Sequence, residues 1–307
     1  MRQEIGILDK PKPTPAKRMG LSSDTKVWIL CLTPSLLLLV ALFAYPLAYS
    51  FWLSLTNYDI LHPIRFVGLY NYLQILSDPN VWHSLQVTFS YGACVLAIEL
   101  VGGFILALLL QRITRGRGVY RALLLLPLMM TPVITGINLR LMLNYDFGVI
   151  NAITMAIGLG RHSWALESGS AFPVLVAAEV WHSIGFVVLI LSAGLATMPT
   201  EPFEAADVDG ASWWQKLWYL TLPMLQPLFL VILVFRSYNL IRQFDVVYTL
   251  TGGGPGRETE TLSVHIYNRM FSGWQIGYSA AISYVMLAVC LVIALAIIRS
   301  MNFNEER

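Results

Sequence analysis

The chain has 307 residues, 56% of them hydrophobic and 12% charged, and a formal net charge of +2; its mean hydropathy is +0.63. So apolar a composition excludes an ordinary soluble globule, and so small a charge without a basic-aromatic patch gives no footing for nucleic acid. Cys31, Cys94 and Cys290 all fall in apolar runs without disulfide or metal-ligand spacing, so they read as small packing residues and no metal site is expected.

In chain order, residues 1–26 are polar, proline-containing and basic. A cleavable signal peptide would place a short apolar core early, so this segment is expected to be a flexible cytoplasmic arm. Six apolar runs follow, roughly 27–55, 85–110, 119–143, 172–198, 217–240 and 276–298. Each is near the ~20 residues with which a helix crosses about 30 Å of hydrocarbon. No alternating pattern suggests a barrel, so the expected fold class is an all-α membrane protein, a six-transmembrane-helix bundle over residues 27–300 with a short cytoplasmic tail at 301–307. Pro34, Pro46, Pro127, Pro132, Gly102 and Gly103 inside the runs are ordinary for a packed membrane bundle.

The basic residues give the orientation. Arg2, Lys10, Lys12, Lys17, Arg18 and Lys26 lie in the arm, Arg112, Arg115, Arg117 and Arg121 around the second loop, and Lys216, Arg299 and Arg307 on the same side. Arg65, Arg161, Arg257 and Arg269 lie on the other. The positive-inside bias therefore predicts both termini in the cytoplasm, and parity brings the segment between the fourth and fifth runs to that side as well.

Ionisable side chains inside a span cost a few kcal/mol and need a partner or a cavity. In the fourth run Glu179, His182, Ser183 and Phe186 fall at i, i+3, i+4 and i+7, one helical face. In the fifth, Arg236, Asn239 and Gln243 do the same. Two readings stay open: a water-accessible pathway between these faces, or internal pairing of Arg242 with Asp245 and of Glu99 and Glu179 with Arg140 or Arg236.

Between these runs lies a polar insertion, Glu204-Ala205-Ala206-Asp207-Val208-Asp209-Gly210-Ala211, ending in Leu222-Pro223. Thr200 is expected to cap one short helix and Ser212 a second, hinged at Gly210. Glu201, Glu204, Asp207 and Asp209 face a single base, Lys216. The hairpin reads either as a piece that docks into another protein or as an interfacial amphipathic element whose Trp213, Trp214 and Trp218 sit among headgroups.

The insertion, about 200–223, resembles the EAA loop of ABC-importer permeases: Glu204-Ala205-Ala206, then Gly210, Leu220 and Leu222-Pro223 at the family's spacing. Gly68-Leu69-Tyr70-Asn71-Tyr72 with Asp78-Pro79, and Phe244-Asp245 through Thr251-Gly252-Gly253-Gly254-Pro255, look like external loops of the carbohydrate-type permeases related to maltose and glycerol-phosphate importers. The chain lacks the large inserted periplasmic domain and extra N-terminal spans of the maltose subunit. The resemblance implies a bacterial inner-membrane assembly of this chain with a second, homologous permease, two ATPase subunits and a periplasmic solute-binding protein, importing a sugar-type substrate. It implies that Glu204, Ala205, Ala206, Asp207 and Gly210 couple the spans to the ATPase, and that no cofactor binds here, ATP and Mg belonging to the partner. It also places sugar contacts on the fourth and fifth spans, at Glu179, Trp181, His182, Ser183, Phe186, Asn239 and Gln243. Where many relatives carry an acid, this chain has Asn239 between Arg236 and Arg242. Those arginines are then expected to be less neutralised, which points to an anionic substrate such as a phosphorylated or sulfonated glycoside.

No Gly-x-x-x-x-Gly-Lys-Ser/Thr segment occurs, so Gly252-Gly253-Gly254-Pro255-Gly256 is a turn cluster and ATP hydrolysis is left to a partner. An intramembrane enzyme using His182 and Glu179 lacks a third metal ligand and any His-Glu-x-x-His pattern, so no catalytic residue is expected. The alternative to an importer subunit is a secondary carrier for a small polar solute, which would require internal repeats with matching broken helices; none is visible.

Overall fold

The computed structural model describes residues 23–60 and 63–305. The expected arm therefore lies outside the described residues as far as position 22. The chain divides into two compact units, 1–50 and 51–307. In the first, α1 (Ser23–Leu39) passes through a widened π-helical turn (Val40–Ala44) into α2 (Tyr45–Ser54), which runs on past the boundary. Pro46 cannot donate to the carbonyl of residue 42, and the helix loosens just there.

The second unit is helical throughout. α3 (Tyr70–Ser77) precedes the long α4 (Pro79–Arg112); α5 (Arg117–Leu125), a single 3₁₀ turn (Pro127–Met129) and α6 (Pro132–Met142) follow, then α7 (Val149–Ala156) and α8 (Ala171–Ala196). α9 (Glu201–Val208) and α10 (Trp213–Lys216) form the hairpin, a π-helical turn (Leu217–Thr221) joins it to α11 (Leu222–Ile241), and α12 (Asp245–Leu250), α13 (Leu262–Tyr267), a further π turn (Asn268–Ser272) and α14 (Ile276–Glu305) complete the chain. Among the described residues extended backbone pairs only at two isolated bridges, Thr56 with Phe66 and Asp59 with Gln275.

Among the described residues, five helices are long and apolar enough to cross a membrane: Leu30–Ser54, Pro79–Arg112, Ala171–Ala196, Trp213–Ile241 and Ile276–Ile297. The expected third run, 119–143, is not among them. Pro127 and Pro132 each remove a helical donor, and the backbone between them leaves the helix, with Met130 and Thr131 extended (ψ 144° and 141°). Two short helices occupy this run in place of one continuous helix.

α8 is the central element: 56% of its most apolar window is buried, against 28% for α4 and 22% for α11. Leu175, Val187 and Leu191 of α8 pack with Tyr91, Val95 and Ala107 of α4 and with Leu225, Ile232 and Leu240 of α11 in two apolar clusters. Gly103 lets the two long helices touch, since a Cβ there would lie 2.6 Å from Val187 Cγ1. Close contact through small residues is how membrane helices gain packing energy when lipid offers no hydrophobic drive.

The two external-loop motifs brace this core. Asn71 Nδ2 donates to the carbonyls of Ser54 and Thr56, both at 2.8 Å. Asp78 caps α4 by accepting from Asn80 N at 2.9 Å, and its other oxygen accepts from Tyr278 Oη at 2.9 Å. After the glycine cluster, Arg257 donates to Glu260 and to Asn80 Oδ1, with its Nη2 2.9 Å from His265 Nδ1. Burial alone would raise Glu260, but His265, 3.3 Å away, and Arg257 outweigh it and hold the carboxyl at about 2, below the ordinary value near 4.5. A depressed carboxylate stabilises the fold above its unfolded pKa, and that contribution disappears as pH falls through the folded value. Thermal melts of the purified transporter should therefore lose stability between about pH 4.5 and 2, and Glu260→Gln should flatten part of that decline. Parallel curves for the two proteins across this window would show that the Arg257–Glu260 pair does not contribute.

Candidate functional site

Glu99 and Glu179 are lone acids in apolar helices, α4 and α8, and both turn to one cation. Arg236 of α11 donates from Nε to Glu99 Oε2 at 2.7 Å and from Nη2 to Glu99 Oε1 at 2.6 Å and Glu179 Oε1 at 2.9 Å. The side chains are 7%, 1% and 3% exposed for Arg236, Glu99 and Glu179, so the cluster is out of reach of bulk water. The remaining acceptor capacity of Glu179 is used by Ser183 Oγ at 3.1 Å and Gln243 Nε2 at 2.7 Å. His182 adds a second layer: Nδ1 lies 3.0 Å from Ser183 Oγ, and Nε2 lies 3.2 Å from the Met130 carbonyl. That carbonyl can only accept, so Nε2 is the donor in this contact. It is a backbone group freed by the break between α5 and α6, re-satisfied from a neighbouring helix as a membrane interior requires.

Internal pairing is thus what Glu179, Ser183, Arg236 and Gln243 do, and Arg236 is doubly neutralised, against the expectation that Asn239 leaves it short of an acid. The sequence also grouped Arg236, Asn239 and Gln243 on one face. In the structure Ile232, Arg236 and Leu240 are buried and Gln243 reaches Glu179, while Phe235, Tyr238, Asn239 and Arg242 form the exposed side of α11. Arg242 stacks on the Tyr238 ring, 4.8 Å from its centroid, and donates to that hydroxyl instead of pairing with Asp245. Trp181 is 46% exposed and lines a recess of about 210 Å³ with Leu139, Leu143 and Val174. Phe186 is half-buried and packs against the inner apolar cluster. Glu99 was expected as an internal partner of Arg140 or Arg236, and it pairs with Arg236; Tyr238 and the Met130 carbonyl were not singled out.

At the far end of α8 the hairpin forms as its sequence dictates. Ser212 accepts from Gln215 N while Gln215 Oε1 accepts from Ser212 N, a reciprocal capping box. Thr200 occupies the N-cap position of α9 but makes no side-chain bond. α9 closes on Gly210 at φ +73°, with Gly210 N–H on Asp207 O at 3.2 Å and Ala211 N–H on Ala206 O at 2.8 Å. This is the left-handed closure that glycine supplies without steric cost. Lys216 pairs with Asp207, and Arg112, at the end of α4, lies over the Trp213 ring at 5.8 Å. Beneath the hairpin is a cavity of about 440 Å³ bordered by Gln111, Met198, Phe203 and Trp213. On its outer side Glu204, Ala205, Asp207 and Val208 are exposed, Val208 at 89%.

Residues 99–302 match the family described as binding-protein-dependent transport system inner membrane component. The trehalose/maltose transport system permease protein MalF of Thermococcus litoralis is 34% identical, over 92% of this chain and 96% of its own length. The sulfoquinovosyl glycerol transport system permease protein SmoG of Agrobacterium fabrum is 31% identical over 99% of both chains. A bacterial ABC transporter involved in the import of the acidic polysaccharide alginate superimposes with a TM-score of 0.80, covering 91% of this chain and 97% of that one; at 21% identity this likeness establishes the fold. The chain belongs to this family: it is a multi-pass permease subunit of an ABC importer, not an enzyme, and the secondary-carrier alternative falls away.

Removing one member of a buried ion cluster leaves the others uncompensated, at a cost of about 3–5 kcal/mol. Arg236→Met, which strands two carboxylates, should lower the thermal stability of the assembled transporter far more than Glu99→Gln, which leaves the Glu179–Arg236 pair intact. Equal losses would show that the cation does not govern the cluster.

Proposed function

Starting from a permease subunit of that family, we propose that this chain forms one half of a translocation pathway for a sugar or sugar derivative. The other half comes from a second, homologous permease; a periplasmic solute-binding protein delivers the substrate, and two ATPase subunits, with ATP and Mg, drive the cycle, so this chain needs no cofactor of its own. It crosses the bacterial inner membrane six times, counting the broken α5–α6 segment, with both termini in the cytoplasm as the basic residues argue. The single observation that carries the coupling role is the hairpin, a structured element closed internally by the Lys216–Asp207 pair, tied to α4 by Arg112 over the Trp213 ring, and presenting Glu204, Ala205 and Val208 on an exposed outer face. Glu204, Ala205, Ala206, Asp207 and Gly210 form the part that enters the ATPase.

Within the pathway, the buried set Glu179, His182, Ser183, Arg236 and Gln243 holds the wall, and Trp181, Asn239 and Arg242 face outward, where substrate would pass. Aromatic and amide groups suit a sugar, and named relatives carry trehalose or maltose and sulfoquinovosyl glycerol. A narrower reading, an anionic glycoside, is favoured by Arg242 alone: it is exposed, donates to Tyr238, and has no acidic partner among the described residues.

A Cβ at Gly210 would meet nothing within 4 Å, so substitutions there test backbone conformation alone. Proline cannot adopt φ +73° and alanine does so at a cost of about 1 kcal/mol, whereas asparagine tolerates it. Uptake by cells carrying the whole transporter should be lost in Gly210→Pro, reduced in Gly210→Ala and near normal in Gly210→Asn, with membrane insertion unchanged. Normal uptake in Gly210→Pro and in Glu204→Lys would remove the coupling assignment.

The charge reading has its own test. Arg242→Gln should lower ATPase stimulation by an anionic glycoside about fivefold, near the 1 kcal/mol upper range of a water-screened charge pair, and by a neutral disaccharide less than twofold. If both respond alike, the pathway is selective for sugars without regard to charge.

A further inference from the structure

We infer that Phe244, Tyr248, Tyr267 and Phe271 form a stacking track on which the pyranose rings of the substrate pass between the external mouth and the exposed side of α11. The four rings are in continuous contact. Phe244 lies nearly parallel to Tyr248 at 5.0 Å between centroids, both meet Tyr267, at 5.0 and 4.8 Å, and Tyr267 meets Phe271 at 4.8 Å. The base of the track is fixed, because Phe244 packs on the apolar cluster shared by α4 and α8. Its surface is open: Tyr248 is 36% and Phe271 54% exposed, and the other two rings are half-buried. The track starts two positions after Arg242, at the end of α11 whose exposed side carries Asn239 and Arg242. Leu240 and Ile241 there share a recess with Ile293, roughly 25 Å into α14 from its start at Ile276. Phe271 belongs to the π turn that leads into that start. The rings therefore run from the depth of Asn239 and Arg242 toward the end of the bundle remote from the hairpin.

The chemistry of the surface selects the occupant. A pyranose presents a flat face of C–H groups, polarised positive by the neighbouring oxygens, and a rim of hydroxyls. The C–H face lies flat on the negative face of an aromatic ring, and the rim needs hydrogen-bonding groups at the ring edges. Both are present here. The ring faces are open, the hydroxyls of Tyr248 and Tyr267 hydrogen-bond to each other at the edge, and Asn239 and Arg242 stand at the inner end. Steps of 4.8–5.0 Å between successive rings match the advance of about one sugar unit, so a saccharide can shift from ring to ring without leaving the aromatic surface. An acyl chain would use neither the flat faces nor the hydroxyls. This track rests on the sugar reading given above and adds to it a route by which the sugar reaches α11.

Saturation-transfer NMR on the detergent-purified, assembled transporter tests the contact itself, since saturation of the protein's aromatic protons passes to ligand C–H groups lying against the rings. The probes are trehalose, which has pyranose rings, and glycerol 3-phosphate, which has none. Trehalose should receive saturation and glycerol 3-phosphate far less. Tyr248→Leu and Phe271→Leu keep an apolar side chain and remove the ring; each should weaken trehalose binding about fivefold, an ordinary stacking contribution, and the double variant more than either. Unchanged binding and transfer in the double variant would overturn the track and leave the sugar reading intact, the saccharide then resting on other rings such as Trp181. Equal transfer to glycerol 3-phosphate would overturn it as well, because ring stacking would not be the basis of the contact. So would a double variant that loses the second permease on purification, which would assign the rings to a protein interface. If the wild type passes no saturation to trehalose, maltose or methyl α-glucoside, the track falls together with the sugar reading.

Discussion

Two carboxylates placed in apolar helices need a cation, and the arrangement of the inner helices follows from supplying one. Glu99 on α4 and Glu179 on α8 meet at Arg236 on α11, and the three side chains are nearly inaccessible. Buried ion clusters contribute little net stability compared with apolar packing, but they tolerate almost no displacement, because a guanidinium moved away leaves charge exposed to hydrocarbon. The cluster therefore fixes the rotation of α11. With Arg236 turned inward, the 3.6-residue period also sends Ile232 and Leu240 inward and leaves Phe235, Tyr238 and Asn239 on the outside; just past the helix end at Ile241, Arg242 is exposed and Gln243 reaches Glu179.

The same period explains what the sequence could and could not disclose. The hairpin was legible because its signals are local: Ser212 with Gln215 forms a capping box, and Gly210 closes α9, both set by residues within a few positions. Thr200 misled, since a hydroxyl at the right position guarantees no bond. The stripe of Glu179, His182 and Ser183 was correctly placed on one face, yet whether that face looked at a neighbour or at water depended on α4 and α11, far away in sequence. On α11 the spacing of Asn239 from Arg236, three residues, was close enough to a turn to be grouped with it, and the 60° that separates them decided exposure. The break in the third run was not legible for a plainer reason: hydropathy does not register missing donors, and Pro127 and Pro132 interrupt the helix through them.

The break in that run has a use within the same network. A helix interrupted between α5 and α6 frees backbone carbonyls, and Met130 O is taken by His182, whose other nitrogen faces Ser183 and through it Glu179. The interruption is thus wired into the charge cluster, and α5, α6, α8, α4 and α11 share one connected set of polar contacts. Irregular backbone at membrane depth is tolerated only where protein satisfies it, and here a single histidine does so.

A wall so connected constrains how the proposed pathway can open. α11 continues through the π turn at Leu217–Thr221 into α10 without an intervening loop, so a push on the hairpin travels along one helical rod, about 30 Å from Lys216 to Arg236. At Arg236 the rod is clamped to α4 and α8, and sliding it independently would separate the guanidinium from both carboxylates. The cheaper motion is for α4, α8 and α11 to move together as one body, keeping the cluster closed, while contacts change on the outer side of α11. That side carries Tyr238, Asn239 and Arg242, and it is the side that the proposed second permease would face. On this reasoning the charged cluster is the fixed part of the machine, and gating belongs to the exposed face that the cluster orients.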